Sequence, residues 1–187
     1  MADDAQVQQA HERVTILLAQ QGSREAFSQL VDTYDRRLLY FVRRILGDVD
    51  GAFDVMQSVW LVVHRKLTRL KSPDAFRVWL FRIAHDLAVT ELRKKIKRPF
   101  SIGEAEAVQQ IADVGCEVAA FEQAELVHLG MQGLSVDHRR VLVLRFLEDM
   151  TIDEIAQVVG ANSGTVKSRL HYAKIALRRR IEELNDG

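Results

Sequence analysis

Residues 162–180, NSGTVKSRLHYAKIALRRR, gather six Lys and Arg behind a turn-like Asn-Ser-Gly, with apolar residues only at intervals. Cationic side chains beside Ser, Thr, His and Tyr are donors suited to phosphates and base edges, so the chemistry is that of nucleic-acid recognition. A second stretch, SPDAFRVWLFRIAHDLAVTELRKKIKR (72–98), mixes aromatics with a basic track that ends in five positive charges within six residues. Single-stranded nucleic acid needs that mixture: rings for its bases and charge for its backbone. The competing reading makes Trp79 and Phe81 core residues and the basic end a complement to the helix dipole. Catalysis has no such support. The six histidines (His11, His64, His85, His128, His138, His171) form no i, i+4 pair and no Cys/His cluster. There is no phosphate-binding glycine loop with Lys and no GxSxG. No metal, cofactor or enzymatic activity is expected.

The elements that hold these stretches read as helices. At 187 residues, 28% charged, 7% aromatic and with two prolines, the chain suits one ordinary domain or two small ones, mostly helical. Its net charge of zero hides segregation. Residues 1–98 hold 17 Lys and Arg against 12 Asp and Glu; 99–127 hold none against 6; 128–187 hold 9 against 8. Blocks of this kind suggest two nucleic-acid-facing domains joined by an acidic connector. The single Cys116 has no CxxC partner, the N-terminus is acidic and polar, and the longest apolar runs, such as VWLVV at 59–63, fall far short of the ~20 residues that span a bilayer. A reducing cytoplasm is the expected setting.

Before residue 99, three helical stretches are predicted. Phe27, Leu30, Val31, Tyr34, Leu38, Phe41, Val42 and Ile45 recur at helical spacing up to a Gly47-Asp48 stop. Asp50 is the predicted cap of the next helix, with Met56, Val59, Trp60, Val63 and Leu67 as its apolar face. Ser72 and Pro73 open the third, with Phe76, Leu80, Ile83 and Leu87 as its buried stripe. Pro99 ends this domain, and the stretch that follows reads as a linker. Helical pattern resumes near Glu117, and Ser135 is the predicted cap of VDHRRVLVLRFLEDM.

Thr151-Ile-Asp-Glu154 is a capping-box sequence. It opens a short helix, with Ile152, Ile155, Ala156 and Val159 inward, that stops at Gly160. Ser163 then caps a second helix with Val166 and Leu170 inward. The small Ala156, the turn at Gly160 and the β-branched Val166 together meet the needs of a helix-turn-helix. Lys167, Ser168, His171 and Tyr172 are left outward, where the start of a recognition helix meets base edges in the major groove. Ser163 and Thr165 suit phosphates; Lys174, Arg178, Arg179 and Arg180 extend the cationic footprint. On the third helix Arg77, Arg82, Asp86, Thr90 and Arg93 are expected to point outward.

In this order the stretches RILGD (44–48), DVMQSVWL (54–61), FRVWLFRIAHDLA (76–88) and GTVKSRLHYAKIALR (164–178) resemble the extracytoplasmic-function sigma factors of bacterial RNA polymerase. The resemblance implies an all-α fold: an N-terminal extension (1–20), a second-region domain (21–98), an acidic linker (99–117) and a fourth-region helix-turn-helix domain (118–187). It implies that Asp54, Gln57 and Leu61, which share a helix face by spacing, dock on the polymerase β′ subunit. Segment 70–77 and the helix around Asp86, with Arg77, Arg82, Thr90 and Arg93, would take an unstacked base of the minus-ten element. Ser163, Thr165, Lys167, Ser168, His171, Tyr172 and Arg178 would meet the minus-thirty-five element. Polymerase core, promoter DNA and an anti-sigma protein are the implied partners, with no further C-terminal domain. Four positions depart from the family's habit. Phe53 and Ser58 stand where acidic residues are common, Asp86 where Asn is, and Tyr172 where Arg is. The alternative from the residues alone is a stand-alone dimeric repressor built on the same helix-turn-helix; a helical protein-binding adaptor is a third.

Overall fold

The computed structural model describes residues 2–97 and 127–185. The predicted linker, Cys116 and the resumption of helix at Glu117 lie outside the described residues. The chain divides into two compact units, Met1–Arg98 and Pro99–Gly187. The described residues are helical with short connections, so the fold is all-α, and none of their helices is long and apolar enough to cross a membrane.

In the first unit α1 (Ala2–Gln20), α2 (Arg24–Leu46), α3 (Asp50–Lys66) and α4 (Phe76–Lys97) pack around one core. Two 3-10 turns, Leu67–Arg69 and Pro73–Ala75, join α3 to α4. The α2 stripe behaves as its spacing predicts: Leu30, Tyr34, Leu38, Phe41, Val42 and Ile45 are buried. Gly47 ends α2 in the left-handed region at φ 78°, its N–H donating to the Arg43 carbonyl. The predicted Asp50 cap is replaced. Asp48 accepts the Gly51 N–H at 2.7 Å and also pairs with Lys95 of α4, so one carboxylate caps α3 and ties it to the end of α4. Ser72 and Pro73 open a 3-10 turn that runs into α4, without the Ser72 hydroxyl accepting a capping N–H.

Two features depart from the sequence reading. Ala2–Gln20, to which the sequence reading assigned no helix, form α1, which buries Thr15, Ile16 and Ala19. The α4 stripe is also rotated. Phe76 and Leu80 are buried as predicted, but Phe81, Ala84, His85 and Ala88 complete the core, and Ile83 and Leu87 are only half-buried. Because α4 packs against both α2 and α3, it needs two apolar faces, and small Ala84 and Ala88 permit close approach.

The second unit holds the helical residues 127–132 (α5), α6 (Val136–Phe146), α7 (Ile152–Val159) and α8 (Ser163–Asn185). Its centre is α6, where the consecutive residues Val141, Leu142, Val143 and Leu144 are all buried. Four consecutive residues point round the whole axis, so this stretch of α6 is enclosed by its neighbours. Ser135 caps it by accepting the His138 N–H at 3.3 Å. Asp137 holds Arg140 of its own helix and Arg169 of α8, each at 2.7 Å, which fixes α8 on α6. The capping box is formed: Thr151 Oγ1 accepts the Glu154 N–H at 3.2 Å, and the Glu154 carboxylate accepts the Thr151 N–H at 2.8 Å. Thr151→Ala should therefore destabilise this unit by about 1 kcal/mol. Thermal unfolding followed by circular dichroism checks it; an unchanged transition contradicts the role assigned to the box.

Candidate nucleic-acid interface

The turn between α7 and α8 sets the recognition helix. Gly160 takes φ 65°, a left-handed conformation that a Cβ would strain, and its N–H donates to the Ala156 carbonyl. Asn162, rather than Ser163, caps α8: its side-chain oxygen accepts the Thr165 N–H at 2.7 Å. Ser163 is the first helical residue and donates its hydroxyl to Asp153 of α7 at 2.6 Å. Asn and Ser are comparable caps, so spacing alone did not separate them. The consequence bears on phosphate contacts, because the Ser163 hydroxyl and the Thr165 N–H are both engaged within the unit.

Val166, Leu170 and Ala173 are buried, and Lys167, Ser168, His171 and Tyr172 are exposed. At about 100° per residue, Lys167, His171, Lys174 and Arg178 fall on one stripe within about 60°. Tyr172 stands beside it, 61% exposed, with its ring edge-on to His171 at 5.3 Å. Arg145, Phe146 and Ile152 join Lys167, Leu170, His171 and Lys174 around a groove of about 220 Å³. Its lining sets apolar Phe146, Ile152 and Leu170 beside cationic Arg145, Lys167 and Lys174. No local pattern pointed to Arg145 and Phe146, which reach the recognition helix only through the packing of α6. The distal cations divide. Glu183 accepts from Arg179 at 3.0 Å and from Arg180 at 2.8 Å, so those two are partly neutralised. These bonds, first from Arg180 and then from Arg179, hold the Glu183 carboxyl below its ordinary range. Arg178 lies outside that cluster.

On α4, Arg82, Asp86, Thr90 and Arg93 are exposed and share a face within about 80°. Half-buried Trp79 belongs to the same face, tilted against Phe76 at 6.0 Å. Arg77 does not. It projects from another side of the helix, near enough to Tyr34 to act on its phenol. The Thr90 hydroxyl donates to the Asp86 carbonyl at 2.7 Å, and Asp86 Oδ1 lies 3.2 Å from Nδ1 of the buried His85. The basic end of the helix is less free than its composition suggests, since Lys94 pairs with Glu91 and Lys95 with Asp48.

On α3, Asp54, Gln57 and Leu61 are exposed along one face, opposite buried Val55, Met56, Val59 and Val63. Leu61 is 57% exposed and neighbouring Phe53 48%, so the face is part acidic and part apolar. That combination suits a protein partner rather than DNA.

Known proteins are similar to this chain over most of its length. The family description Sigma-70 region 2 matches residues 30–98, and Sigma-70, region 4 matches residues 124–177. The RNA polymerase sigma-H factor of Pseudomonas aeruginosa is 31% identical, over 98% of this chain and 98% of its own. The ECF RNA polymerase sigma factor SigW of Bacillus subtilis is 27% identical, over 87% of this chain and 92% of its own. The ECF RNA polymerase sigma-E factor of Escherichia coli K12 is 29% identical, over 95% and 97%. Among solved structures, CnrH in complex with the cytosolic domain of CnrY has the same fold, with a TM-score of 0.65 at 24% identity, covering 92% of this chain and 97% of that one. The sigma factor RpoE in complex with the anti-sigma factor NepR from Bartonella quintana gives 0.67 at 19%, covering 83% and 96%. Two sigma-70 regions follow one another along the chain, and a relative is 31% identical over nearly the whole of both chains: the chain belongs to the extracytoplasmic-function sigma factors and directs RNA polymerase to begin transcription at its promoters.

Proposed function

We propose that the labour of this initiation factor is divided between residues 21–98, which bind polymerase core and the minus-ten element, and residues 118–187, which read the minus-thirty-five element, with 99–117 joining them. The observation that carries this reading is the α8 stripe of Lys167 and His171, exposed about 100° round the helix from the buried Val166 and Leu170. Lys167, Ser168, His171 and Tyr172 face base edges; Arg178 meets the phosphate backbone. Ser163 and Thr165 shape the start of the helix and contribute to phosphate contact only through what their internal bonds leave. Arg82, Asp86, Thr90 and Arg93 line the minus-ten surface with Trp79, while Arg77 flanks it from the loop side. Asp54, Gln57 and Leu61 dock on the β′ subunit. The factor carries out no catalysis, works in the cytoplasm and is held by an anti-sigma protein until needed. Support for that last partner comes from the relative seen with an anti-sigma factor.

Titration against duplex DNA and against polymerase core, in separate experiments, tests the reading. The free protein should bind core tightly and promoter duplex only weakly; tight binding to a palindromic duplex without core would favour a stand-alone repressor. The docking face gives a sharper expectation. Combining Asp54→Ala with Gln57→Ala should weaken core binding by about tenfold, a modest hot-spot effect, and change stability by no more than about 0.5 kcal/mol, since both residues are exposed. Unaltered core affinity, or a variant that no longer folds, counts against this face.

A further inference from the structure

The helix α1 lies against the connection between α3 and α4 and holds it at three places. Gln20, half-buried at the end of α1, donates its side-chain amide to two backbone carbonyls, Leu67 at 2.9 Å and Leu70 at 2.8 Å. The two carbonyls bracket the first 3-10 turn, so one side chain fixes the point where the chain leaves it. Two helical turns earlier, Arg13 pairs with Asp74 in the second 3-10 turn at 2.5 Å. Next to it, Glu12 accepts the hydroxyl hydrogen of Tyr34. The Tyr34 ring packs edge-on at 5.5 Å against Phe76, where the connection becomes α4. Burial and this bond to Glu12 both push the Tyr34 phenol upward, so it stays protonated and keeps donating. Between the Gln20 and Arg13 anchors Lys71 and Ser72 remain exposed. The connection is fixed at its ends and open at its tip.

We infer that α1 is a positioning helix for promoter selection, in which Gln20 and Arg13 hold segment 70–77 in the conformation that accepts the minus-ten base. The inference rests on the reading above that this segment receives that base. Neither residue touches the base; they act through the backbone they hold. A pocket that reads an extruded base loses selectivity when its walls shift by a fraction of an ångström to an ångström, because recognition depends on short, directed hydrogen bonds and stacking. Local backbone anchoring also explains why a polar amide sits half-buried at Gln20, where an apolar residue would leave the two carbonyls with fewer donors.

The test uses holoenzymes assembled with wild type, Gln20→Ala, Arg13→Ala, and a tip control combining Lys71→Ala with Ser72→Ala. Each transcribes a library randomised across the minus-ten element, and core affinity and thermal unfolding are measured beside it. Expected for Gln20→Ala is a loss of about tenfold in the preference for the best minus-ten sequence over its single-base variants, the scale of one base contact. Core affinity should stay within about twofold, a split that general destabilisation would not produce. Arg13→Ala, at an exposed pair that the core does not depend on, should show a smaller loss in the same direction and decides the matter if Gln20→Ala folds poorly. If the tip control alters preference while Gln20→Ala and Arg13→Ala do not, the positioning role is overturned and the loop reading stands. If the tip control also leaves preference unchanged, the loop reading falls and the inference with it.

Discussion

Alanine at Lys167 or His171 is expected to change which minus-thirty-five hexamers the holoenzyme prefers, whereas Arg178→Ala lowers activity on all of them. All three lie on the exposed stripe of α8, but at different heights. Lys167 is in the first turn or two, where a recognition helix enters the major groove, and His171 follows one turn on. Arg178, about 16 Å along the axis from Lys167, is beyond reach of the same base edges. A good base contact contributes about 1–3 kcal/mol of discrimination. A phosphate contact weakens every sequence alike and lowers the salt slope by about one. Arg179→Ala should act like Arg178→Ala but more weakly, because Glu183 already neutralises part of its charge. The measurement is transcription by each mutant holoenzyme from a library randomised across the minus-thirty-five element. Unchanged preference for Lys167→Ala and His171→Ala, with a shift for Arg178→Ala, would place the wrong face of this helix on the DNA.

The second large effect separates two neighbouring aromatics on α4. Phe81 is fully buried and meets Phe41 edge-on at 5.4 Å, so Phe81→Ala should cost about 3–5 kcal/mol through lost burial and the cavity left behind. Trp79 is half-buried on the face of Arg82 and Asp86. Its truncation should cost less stability but remove a stacking surface, which contributes about 1–3 kcal/mol per base. Denaturant unfolding of the free protein and binding of a single-stranded minus-ten oligonucleotide by the holoenzyme give the two readouts. Trp79→Ala that unfolds as readily as Phe81→Ala, or that binds the oligonucleotide normally, removes Trp79 from the interface.

The helix-turn-helix was legible because its determinants are local. A capping box, a left-handed glycine and a cap at Ser135 each involve residues within four positions of one another, so Thr151, Gly160 and Ser135 could be assigned from spacing. The α2 stripe was legible for a related reason: charged residues separate its apolar positions, so one periodicity stands out although α2 packs on α1, α3 and α4. The same logic failed where apolar residues run round much of the helix. On α4, apolar residues surround much of the axis, and only contact with both α2 and α3 selects Phe81, Ala84 and Ala88 over Ile83 and Leu87. On α1 the pattern misleads, since Val7, Val14, Leu17 and Leu18 are exposed while Thr15, Ile16 and Ala19 are buried.

What the sequence by itself determined is therefore the pair of helical units, the helix-turn-helix and the exposed faces proposed for DNA and for polymerase. The tertiary structure decided which charges remain available on those faces. It takes Lys95 from the basic track for Asp48, and Arg169 from the recognition helix for Asp137. It also packs α1 against the α3–α4 connection. Gln20 meets carbonyls 47 and 50 residues away. A hydrogen bond to a distant backbone carbonyl carries no side-chain signature at its acceptor, so no pattern along the chain could announce it before the helices had packed.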